Sequence, residues 1–312
     1  MADGLPLPHD RGHLLWTMED GPSRKLLSSF DRWSTALVGD DDISEPFFQG
    51  DGIVKASIIA RQDGIIVGCA MVDYVLQVWA PSLSISWKAG DGKRVSKDDL
   101  IATLSGPSVA VLSMERTLLN ILGHLSGIAT WTKQWSAVAP KQIACTRKTV
   151  WGMLDKWAVH MGGGLTHRLT KHDAVMMKEN DFATMKGHGD TNEQRIVAYI
   201  NDIDPIEIHG FLEIEVRTQK EAMLAAMAWS QKGETEIPFV IMLDNFSPEA
   251  CKEVSEQLEE QGVRHTIILE ASGGITFETL ETWRECGLDV ISTSALNRGV
   301  SPLDISMLVE DH

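Results

Sequence analysis

The sequence is poor in cysteine, in long apolar runs and in positive charge. Its 312 residues include four cysteines, at positions 69, 145, 251 and 286, and no two of them form a Cys-x-x-Cys pair. This scarcity disfavours a disulfide framework and a zinc site, and it predicts reduced thiols in a cytoplasmic protein. The longest apolar stretches, such as GIIVGCAMV at 64–72, are too short to span a bilayer. The N-terminus lacks the basic and apolar regions of a signal peptide, so we expect none.

The positive charge that is present is concentrated in one segment. The net charge of −16 argues against nonspecific binding to nucleic acid or to anionic membranes. Between residues 146 and 178, however, six Lys and Arg residues accompany only two acids. In GGGLTHR at 162–168, three glycines without a Cβ allow close backbone approach. The segment therefore predicts an anion site, and its cations are Arg147, Lys148, Lys156, Arg168, Lys171 and Lys178.

The pattern of the chain changes near residue 113. From 52 to 112, short β-type runs broken by DG and GDG turns predict a small α/β domain. From Ser113 onwards the apolar residues recur at helical spacing, and Arg116 lies on the opposite face of that helix. The predicted apolar stripe consists of Met114, Leu118, Ile121, Leu122, Leu125, Ile128 and Ala129.

Six apolar runs follow, each succeeded by a helical stretch: IACTRK, AVMMK, FLEIEV, FVIMLD, TIILEAS and VISTSA. Two of these helices have clear caps, Thr218 with Glu221 and Ser247 before Pro248. The alternation predicts a parallel sheet buried on both faces, in an open, incomplete α/β barrel rather than a doubly wound sheet. We therefore predict an N-terminal α/β sandwich domain at 1–112, a barrel domain at 113–295, and a C-terminal tail, 296–312, that packs on the N-terminal domain.

Polar residues end each of the six runs. A barrel gathers the carboxyl ends of its strands around one mouth, where active sites are built. Any single polar end has a simpler explanation, because strands commonly run into polar loops. That explanation fits all six ends together less well, since Glu215 and Asp244 follow runs that should be buried. The residues at these ends are Arg147, Lys148, Lys178, Glu215, Asp244, Ser272 and Ser294.

A second glycine signal lies in EASGGIT at 270–276. Gly273 and Gly274 follow a strand and precede a helix that we expect Thr276 to cap, an arrangement that suits phosphate binding by backbone N–H groups. A plain turn is the alternative. Ser294 and Arg298 could complete a phosphate cup.

Other candidate sites are weaker. The spacings of His160, His167 and His172, without paired carboxylates, fit no metal-ligand pattern. GDDDIS at 39–44 favours a solvated loop over a divalent-ion site. No Ser-His-Asp or Cys-His arrangement has a recognisable nucleophile context.

Taken together, the motifs resemble the quinolinate phosphoribosyltransferase family, the carboxylating nicotinate-nucleotide diphosphorylases. The resemblance implies an N-terminal α/β domain, an open α/β barrel and a homodimer or larger assembly. It implies a Mg²⁺-dependent reaction of quinolinate with phosphoribosyl pyrophosphate that gives nicotinate mononucleotide, pyrophosphate and CO₂. The matching stretches are MERTLLNILGHLSGIAT (114–130), TRKT (146–149), KWAVHMGGGLTHR (156–168), MMKEN (176–180), EIEV (213–216), IMLDNFSPE (241–249), EASGGIT (270–276), LDVIS (288–292) and LDIS (303–306).

The resemblance also implies roles for individual residues. It places Lys148 near the diphosphate, and Glu215 and Asp244 at the ribose and its Mg²⁺, directly or through water; these three would be the catalytic residues. It implies that Arg116 reaches into the neighbouring subunit's site. The implied ligands of the pyridine dicarboxylate are Arg116, Arg147, His167, Arg168 and Lys178. The implied 5′-phosphate cup comprises Ser272, Gly273, Gly274, Ser294 and Arg298.

The sequence departs from the family pattern at several of these motifs. Thr166 stands where the family has Asn, and Asp181 where it has His. Ser294 replaces a Gly, and Asn297-Arg298-Gly299 replaces Thr-His-Ser. The dicarboxylate ligands are spared, but the phosphate end is altered. Two alternatives therefore stay open: a paralogue that uses another aromatic or pyridine carboxylate, and a non-catalytic member that binds a ligand or assists transport.

Overall fold

A computed structural model describes residues 7–40, 52–185, 187–233 and 235–310. Residues 41–44 of the acidic loop predicted at 39–44 lie outside these ranges. Among the described residues, none of the helices combines the length and the apolar character needed to cross a membrane. The described chain divides into two compact units, which are interleaved in sequence.

The described strands are β1 (Trp16–Thr17), β2 (Gly21–Pro22), β3 (Ile53–Ala60), β4 (Gly64–Ile65), β5 (Ser84–Trp87), β6 (Arg94–Val95), β7 (Leu100–Pro107), β8 (Ile143–Cys145), β9 (Val175–Met177), β10 (Leu212–Val216), β11 (Phe239–Asp244), β12 (Ile268–Ser272), β13 (Val290–Thr293) and β14 (Ile305–Val309). The described α-helices are α1 (Arg24–Asp40), α2 (Cys69–Trp79), α3 (Ser108–Val138), α4 (Met153–Met161), α5 (Glu179–Thr184), α6 (Asn192–Asp202), α7 (Gln219–Ser230), α8 (Pro248–Glu260) and α9 (Leu280–Trp283).

The first unit, here called the parallel unit, comprises Met1–Arg11, Ala137–Arg147 and Leu165–Ala295. Its six strands form one parallel sheet in the order β8-β13-β12-β11-β10-β9, with β8 and β9 at the two edges. All six runs predicted from the sequence are strands of this sheet, and the prediction of an open α/β barrel is confirmed. The predicted caps are also confirmed, because Thr218 and Ser247 accept the N–H groups of Glu221 and Ala250.

The inner face of this sheet changes from apolar to polar along the strands. Side chains two residues apart on a strand share a face. Three successive layers of side chains therefore share this face. The first layer is Phe211, Val240 and Ile268. Two residues further on lie Glu213, Met242 and Glu270, and two further still lie Glu215, Asp244 and Ser272. The first of these layers packs into apolar clusters with Ala174, Ala144 and Leu165. The sequence thus builds an apolar base, a buried acidic layer and a polar mouth.

The second unit, here called the antiparallel unit, comprises Gly12–Ser136, Lys148–Gly164 and Leu296–His312. Its main sheet has the order β14-β3-β7-β5, so the strand of the C-terminal tail pairs with β3. Helix α3 begins at Ser108, and the run VAVL at 109–112, predicted as strand, forms its first turns. The reason is packing, since Val111 continues at helical spacing the buried stripe of Met114 and Leu118.

The two units differ from the contiguous domains predicted at 1–112 and 113–295. Helices α3 and α4 belong to the antiparallel unit, whereas the described residues 7–11 belong to the parallel unit. Helix α3 belongs to the antiparallel unit because it packs closely on the C-terminal tail. A Cβ on Gly127 would lie 2.4 Å from the carbonyl oxygen of Ser301 in that tail. Helix α4 belongs there because Trp157 stacks on Trp16 and contacts Phe30. These contacts join segments far apart in sequence, which periodicity does not reveal.

Candidate active site

The mouth of the parallel unit collects most of the residues expected at strand ends. Lys178 directly follows β9, Asp244 and Ser272 end β11 and β12, and Ser294 directly follows β13. Asp244 and Ser272 are register partners, and Ser272 is the partner of Ser292. Because the carboxyl ends of parallel strands meet at one edge of a sheet, these side chains line a common rim, as the sequence predicts.

Cations and carboxylates pair directly at this rim. Lys178 Nζ forms an ion pair with a carboxylate oxygen of Glu215. Arg217 pairs with Glu179, and its Nε lies 3.7 Å from Asp244 Oδ2. Arg217 was not singled out in the sequence, although it is the first residue after β10. Both acids expected at the ribose are thus already next to cations.

Arg168 is the most buried cation of the mouth, with 9% of its surface exposed. Burial lowers the pKa of its guanidinium below the ordinary value; the charge of Glu213 opposes this, and the positive charge of Arg147 adds to it. A terminal nitrogen of Arg168 lies 3.0 Å from Met176 Sδ. Two mutually repelling guanidinium groups, one of them buried, make a site that favours an anion with more than one negative group.

His167 lies next to Arg168 in the left-handed backbone region, with φ of +52°. Its Nε2 is 3.2 Å from Glu270 Oε1 and 3.6 Å from Glu213 Oε1. Burial lowers the pKa of His167, but the two carboxylates outweigh burial and raise it above the ordinary value. Nδ1 accepts the N–H of Arg168 at 2.8 Å, and this hydrogen bond opposes the effect of the carboxylates, because it favours the neutral ring with its proton on Nε2, between the carboxylates.

A second histidine, His9, reaches the same acidic layer from the N-terminal segment. It is fully buried, and its Nε2 lies 2.9 Å from Glu270 Oε2. Its ring contacts the His167 ring edge-on, with centroids 4.7 Å apart, and lies 4.9 Å from the ring of Phe211. Burial raises the pKa of Glu270, but His167 and His9 outweigh burial and hold it well below its usual range. No sequence pattern pointed to His9.

Two groups of side chains could hold a metal ion. Glu215 is a buried and Asp244 a half-buried carboxylate at the rim, and carboxylates are a donor type that suits Mg²⁺ with retained waters. His9, His167, Glu213 and Glu270 lie close together in the buried acidic layer, with ligand atoms within 4.8 Å of one another. In this group the Nε2 of His167 carries a proton and has no free lone pair for a metal. Of the other histidines considered from the sequence, His160 lies in α4 of the antiparallel unit and His172 is an exposed loop residue.

The glycines of the predicted phosphate cup have positive φ angles, a backbone conformation that favours glycine. Gly273 and Gly274 have φ of +104° and +66°, and a Cβ on Gly273 would lie 2.3 Å from Asn245 Oδ1. The predicted cap at Thr276 is wrong, because α9 begins at Leu280 with Thr279 as its N-cap. The hydroxyl of Thr279 accepts the N–H of Thr276 at 3.2 Å, which makes 276–279 a turn. Any phosphate here would meet loop N–H groups rather than a helix N-terminus.

Three predicted site residues belong to the antiparallel unit. Arg116 is exposed on α3, opposite the apolar stripe, all seven members of which are buried. Lys148 and Arg298 are also exposed, and Asn297 Nδ2 donates to the carbonyl oxygen of Lys148 at 3.2 Å. Lys156, one of the six clustered cations, is instead buried in α4.

Two departures from the family pattern have local structural roles. The Thr166 Oγ1 accepts the backbone N–H of Arg11 at 3.1 Å. The Asp181 carboxylate accepts the backbone N–H of Lys178 at 2.9 Å, and so caps the first turn of α5.

Comparisons with known proteins point in one direction. Residues 35–126 match the model of the quinolinate phosphoribosyl transferase N-terminal domain, and residues 128–308 match that of its C-terminal domain. A probable nicotinate-nucleotide pyrophosphorylase [carboxylating] of Methanothermobacter thermautotrophicus is 33% identical over 280 residues, covering 87% of this chain and 94% of the relative. A probable enzyme of the same name in Bacillus subtilis is 31% identical over 289 residues, covering 91% and 92%.

The fold agrees with these matches. The structure of the nicotinate-nucleotide pyrophosphorylase from Francisella tularensis superposes with a TM-score of 0.77 at 26% identity, covering 91% of this chain and 96% of that one. The chloroplastic nicotinate-nucleotide pyrophosphorylase [carboxylating] of Arabidopsis thaliana is 34% identical over 268 residues, covering 82% of this chain and 74% of the relative.

Proposed function

The chain belongs to the quinolinate phosphoribosyltransferase family, and from this premise we propose that it is a carboxylating nicotinate-nucleotide pyrophosphorylase of NAD biosynthesis. It transfers the phosphoribosyl group of phosphoribosyl pyrophosphate to quinolinate and releases CO₂, giving nicotinate mononucleotide and pyrophosphate. The relatives favour this activity over the two alternatives, another carboxylate acceptor and a non-catalytic binder. The observation that carries the proposal for this chain is the buried Arg168 beside Arg147 at the mouth.

The acceptor end of the site consists of cations from the parallel unit. Quinolinate has two adjacent carboxylates, which planar guanidinium groups bind through paired, charge-assisted hydrogen bonds. Arg147, Arg168 and Lys178 would provide that charge, and His167 would complete the wall of the pocket. For Lys178 this requires exchange of its Glu215 partner for a substrate carboxylate.

The donor end is anionic where the acceptor end is cationic. As pyrophosphate leaves and the pyridine nitrogen attacks, positive charge develops at C1 of the ribose. Glu215 and Asp244 would stabilise that charge, because carboxylates fixed in place before the reaction need no reorganisation during it. The same two residues would hold Mg²⁺, directly or through water, and the ion would neutralise charge on the leaving pyrophosphate.

Loss of CO₂ follows the transfer. The bond from the pyridine C2 to its carboxylate breaks, and the electron pair stays on C2, next to a nitrogen that is now cationic. Arg147 and Arg168 would further lower the energy of this carbanion until it takes up a proton. Catalysis thus uses the same cations that bind the dicarboxylate.

The phosphates and the assembly complete the proposal. Ser272, Gly273 and Gly274, with Ser294 and Arg298, would bind the 5′-phosphate, and Lys148 the diphosphate. Arg116, exposed on α3, would enter the site of the neighbouring subunit in a two-fold homodimer. All four cysteines are buried and form no disulfide, which supports a reducing compartment, and we place the enzyme in the cytoplasm.

The test is direct incubation of the purified protein with quinolinate, phosphoribosyl pyrophosphate and Mg²⁺. We expect nicotinate mononucleotide, pyrophosphate and CO₂ in equal amounts. Nicotinate in place of quinolinate serves as the control, because it lacks the 2-carboxylate and should react poorly. Consumption of another aromatic carboxylate, but not of quinolinate, would identify the paralogue instead.

A further inference from the structure

We propose that residues 7–11 form a positioning element for the quinolinate pocket: His9 and Arg11 hold the loop that carries His167 and Arg168, without touching substrate themselves. This inference rests on the proposed function, because that function gives His167 and Arg168 their ligand. It assigns a specificity role to a segment that precedes the residues matched by the family models, which begin at residue 35.

The segment holds this loop at three points. Arg11 donates its backbone N–H to Thr166 Oγ1 at 3.1 Å, immediately before His167. The Arg11 Nε donates to Asp173 Oδ2 at 2.9 Å, and that carboxylate in turn accepts the N–H groups of Leu169 and Thr170, immediately after Arg168. His9 lies against the His167 ring and beside the far oxygen of Glu270.

The held conformation is one that the loop would not keep unaided. His167 has φ of +52°, a left-handed conformation that costs a non-glycine residue free energy and persists only when its surroundings impose it. The contacts from Arg11 lie on both sides of this residue in sequence. Without them, the loop would relax towards ordinary backbone angles, and the His167 and Arg168 side chains would move relative to Arg147 and Lys178.

Glu270 transmits the effect of His9. One carboxylate oxygen of Glu270 accepts the His167 Nε2 proton at 3.2 Å, and the other lies 2.9 Å from His9 Nε2. These three residues and Glu213 form one buried group of four. His9 therefore packs in ion-pair distance against the carboxylate that orients His167, and its removal would free that carboxylate to move. A metal ion in this group would instead need the unprotonated Nε2 of His167, which the Arg168 N–H to Nδ1 hydrogen bond excludes.

The test compares Michaelis constants in variants of the segment. His9→Phe keeps the ring and removes both nitrogens, and Arg11→Met removes the charge from a partly exposed side chain; Arg11→Lys is the conservative variant. We expect His9→Phe and Arg11→Met to raise the KM for quinolinate about tenfold, because a displaced His167 and Arg168 would lose part of their charged hydrogen bonds to the substrate, which contribute about 1.5–3 kcal/mol each. The KM for phosphoribosyl pyrophosphate should stay within about twofold, and Arg11→Lys should restore most of the quinolinate affinity.

A matched control separates positioning from general stability. Trp229→Phe disturbs a buried stack on Phe239 in the same unit, on helix α7. It should lower the melting temperature while leaving both Michaelis constants in their original ratio. Arg11→Met carries the test if His9→Phe does not fold.

The outcomes are distinct. A wild-type protein that does not turn over quinolinate contradicts the proposed function itself. An active wild type whose His9→Phe and Arg11→Met variants change the two Michaelis constants equally, or not at all, overturns the positioning role. One equivalent of metal in the purified wild type that is lost in His9→Phe would also overturn it, because the group would then be a metal site.

Discussion

Lys178 and Glu215 form an ion pair between the carboxyl ends of β9 and β10. In the proposed mechanism these two residues serve different substrates, Lys178 the quinolinate and Glu215 the ribose. The pair keeps both charges compensated at a mouth where Lys178 is still 43% exposed. Quinolinate must therefore compete with Glu215 for Lys178.

This competition predicts opposite effects of Glu215→Gln on binding and on turnover. Quinolinate alone should bind about two- to fivefold more tightly, because Lys178 is open to solvent and such a pair contributes about 1 kcal/mol. Turnover should fall about a hundredfold, because charge at the ribose C1 is no longer stabilised. Calorimetry and steady-state rates measure the two effects. Glu193→Gln, which breaks the Lys220–Glu193 surface pair, is the control, and weaker quinolinate binding in Glu215→Gln would contradict the model.

Arg147→Ala tests the dicarboxylate pocket. A charged hydrogen bond contributes about 1.5–3 kcal/mol, so quinolinate binding should weaken at least about tenfold. Nicotinate should bind poorly to both the variant and the parent, because it lacks the 2-carboxylate. Lys171→Ala removes an exposed charge from the loop after Arg168 and should leave quinolinate affinity unchanged. Equal affinity in Arg147→Ala and the parent would rule out this assignment.

Arg298→Ala tests the phosphate end. Because a guanidinium stays charged across the physiological pH range, its loss should raise the KM for phosphoribosyl pyrophosphate at every pH measured. The KM for quinolinate should barely change. Arg284→Ala, which removes an exposed arginine from the parallel unit, provides the control. An effect confined to quinolinate would show that the phosphate cup is misplaced.

Mixed dimers test whether Arg116 is shared between subunits. Arg116→Ala and Lys148→Ala should each be nearly inactive alone. If Arg116 serves the neighbouring site, a mixed dimer has one site with both defects and one intact site. Random pairing after joint refolding makes half of the dimers mixed, so about a quarter of the parental activity should return. Tagged subunits verify that mixed dimers form, and an inactive mixture that contains them would contradict sharing.

Asp173→Asn tests how charge anchors the loop after Arg168. Burial alone would raise the pKa of Asp173, but the N–H groups of Leu169 and Thr170 and the charge of Arg11 lower it. A lowered pKa in the folded state stabilises the protein above the ordinary aspartate value of about 3.9, and this stabilisation is lost as the pH falls through the folded value. Denaturant unfolding at pH 7 should show Asp173→Asn destabilised by about 2 kcal/mol.

The stability difference between Asp173→Asn and the parent should depend on pH. The difference between Asp173→Asn and the parent should shrink as the pH falls below about 4, where the parental carboxylate becomes protonated. Asp202→Asn, at an exposed position at the end of α6, should differ little from the parent at any pH. A difference that stays constant from pH 7 to pH 3 would show that the charge of Asp173 does not stabilise the loop.

The sequence by itself determined the sheet and its rim. Near-continuous apolar runs with capped helices between them are local signals, and they identified all six parallel strands. The barrel prediction then placed the polar ends of these strands, with Glu215 and Asp244, at one mouth. Gly273 was recognisable because two glycines directly follow a predicted strand, and its positive φ of +104° agrees with the need for a residue without a Cβ.

Only the tertiary structure decided how distant segments meet. His9 and Arg11 contact residues more than 150 positions away, and no local periodicity encodes such contacts. The interleaved units, with α3 and α4 in the antiparallel unit, arise from the packing of Gly127 on the tail and of Trp157 on Trp16. The physical reason is the same in each case. Strands and helices follow from the backbone and its nearest neighbours in sequence, whereas the partners of a buried charge or an aromatic ring follow from the whole fold.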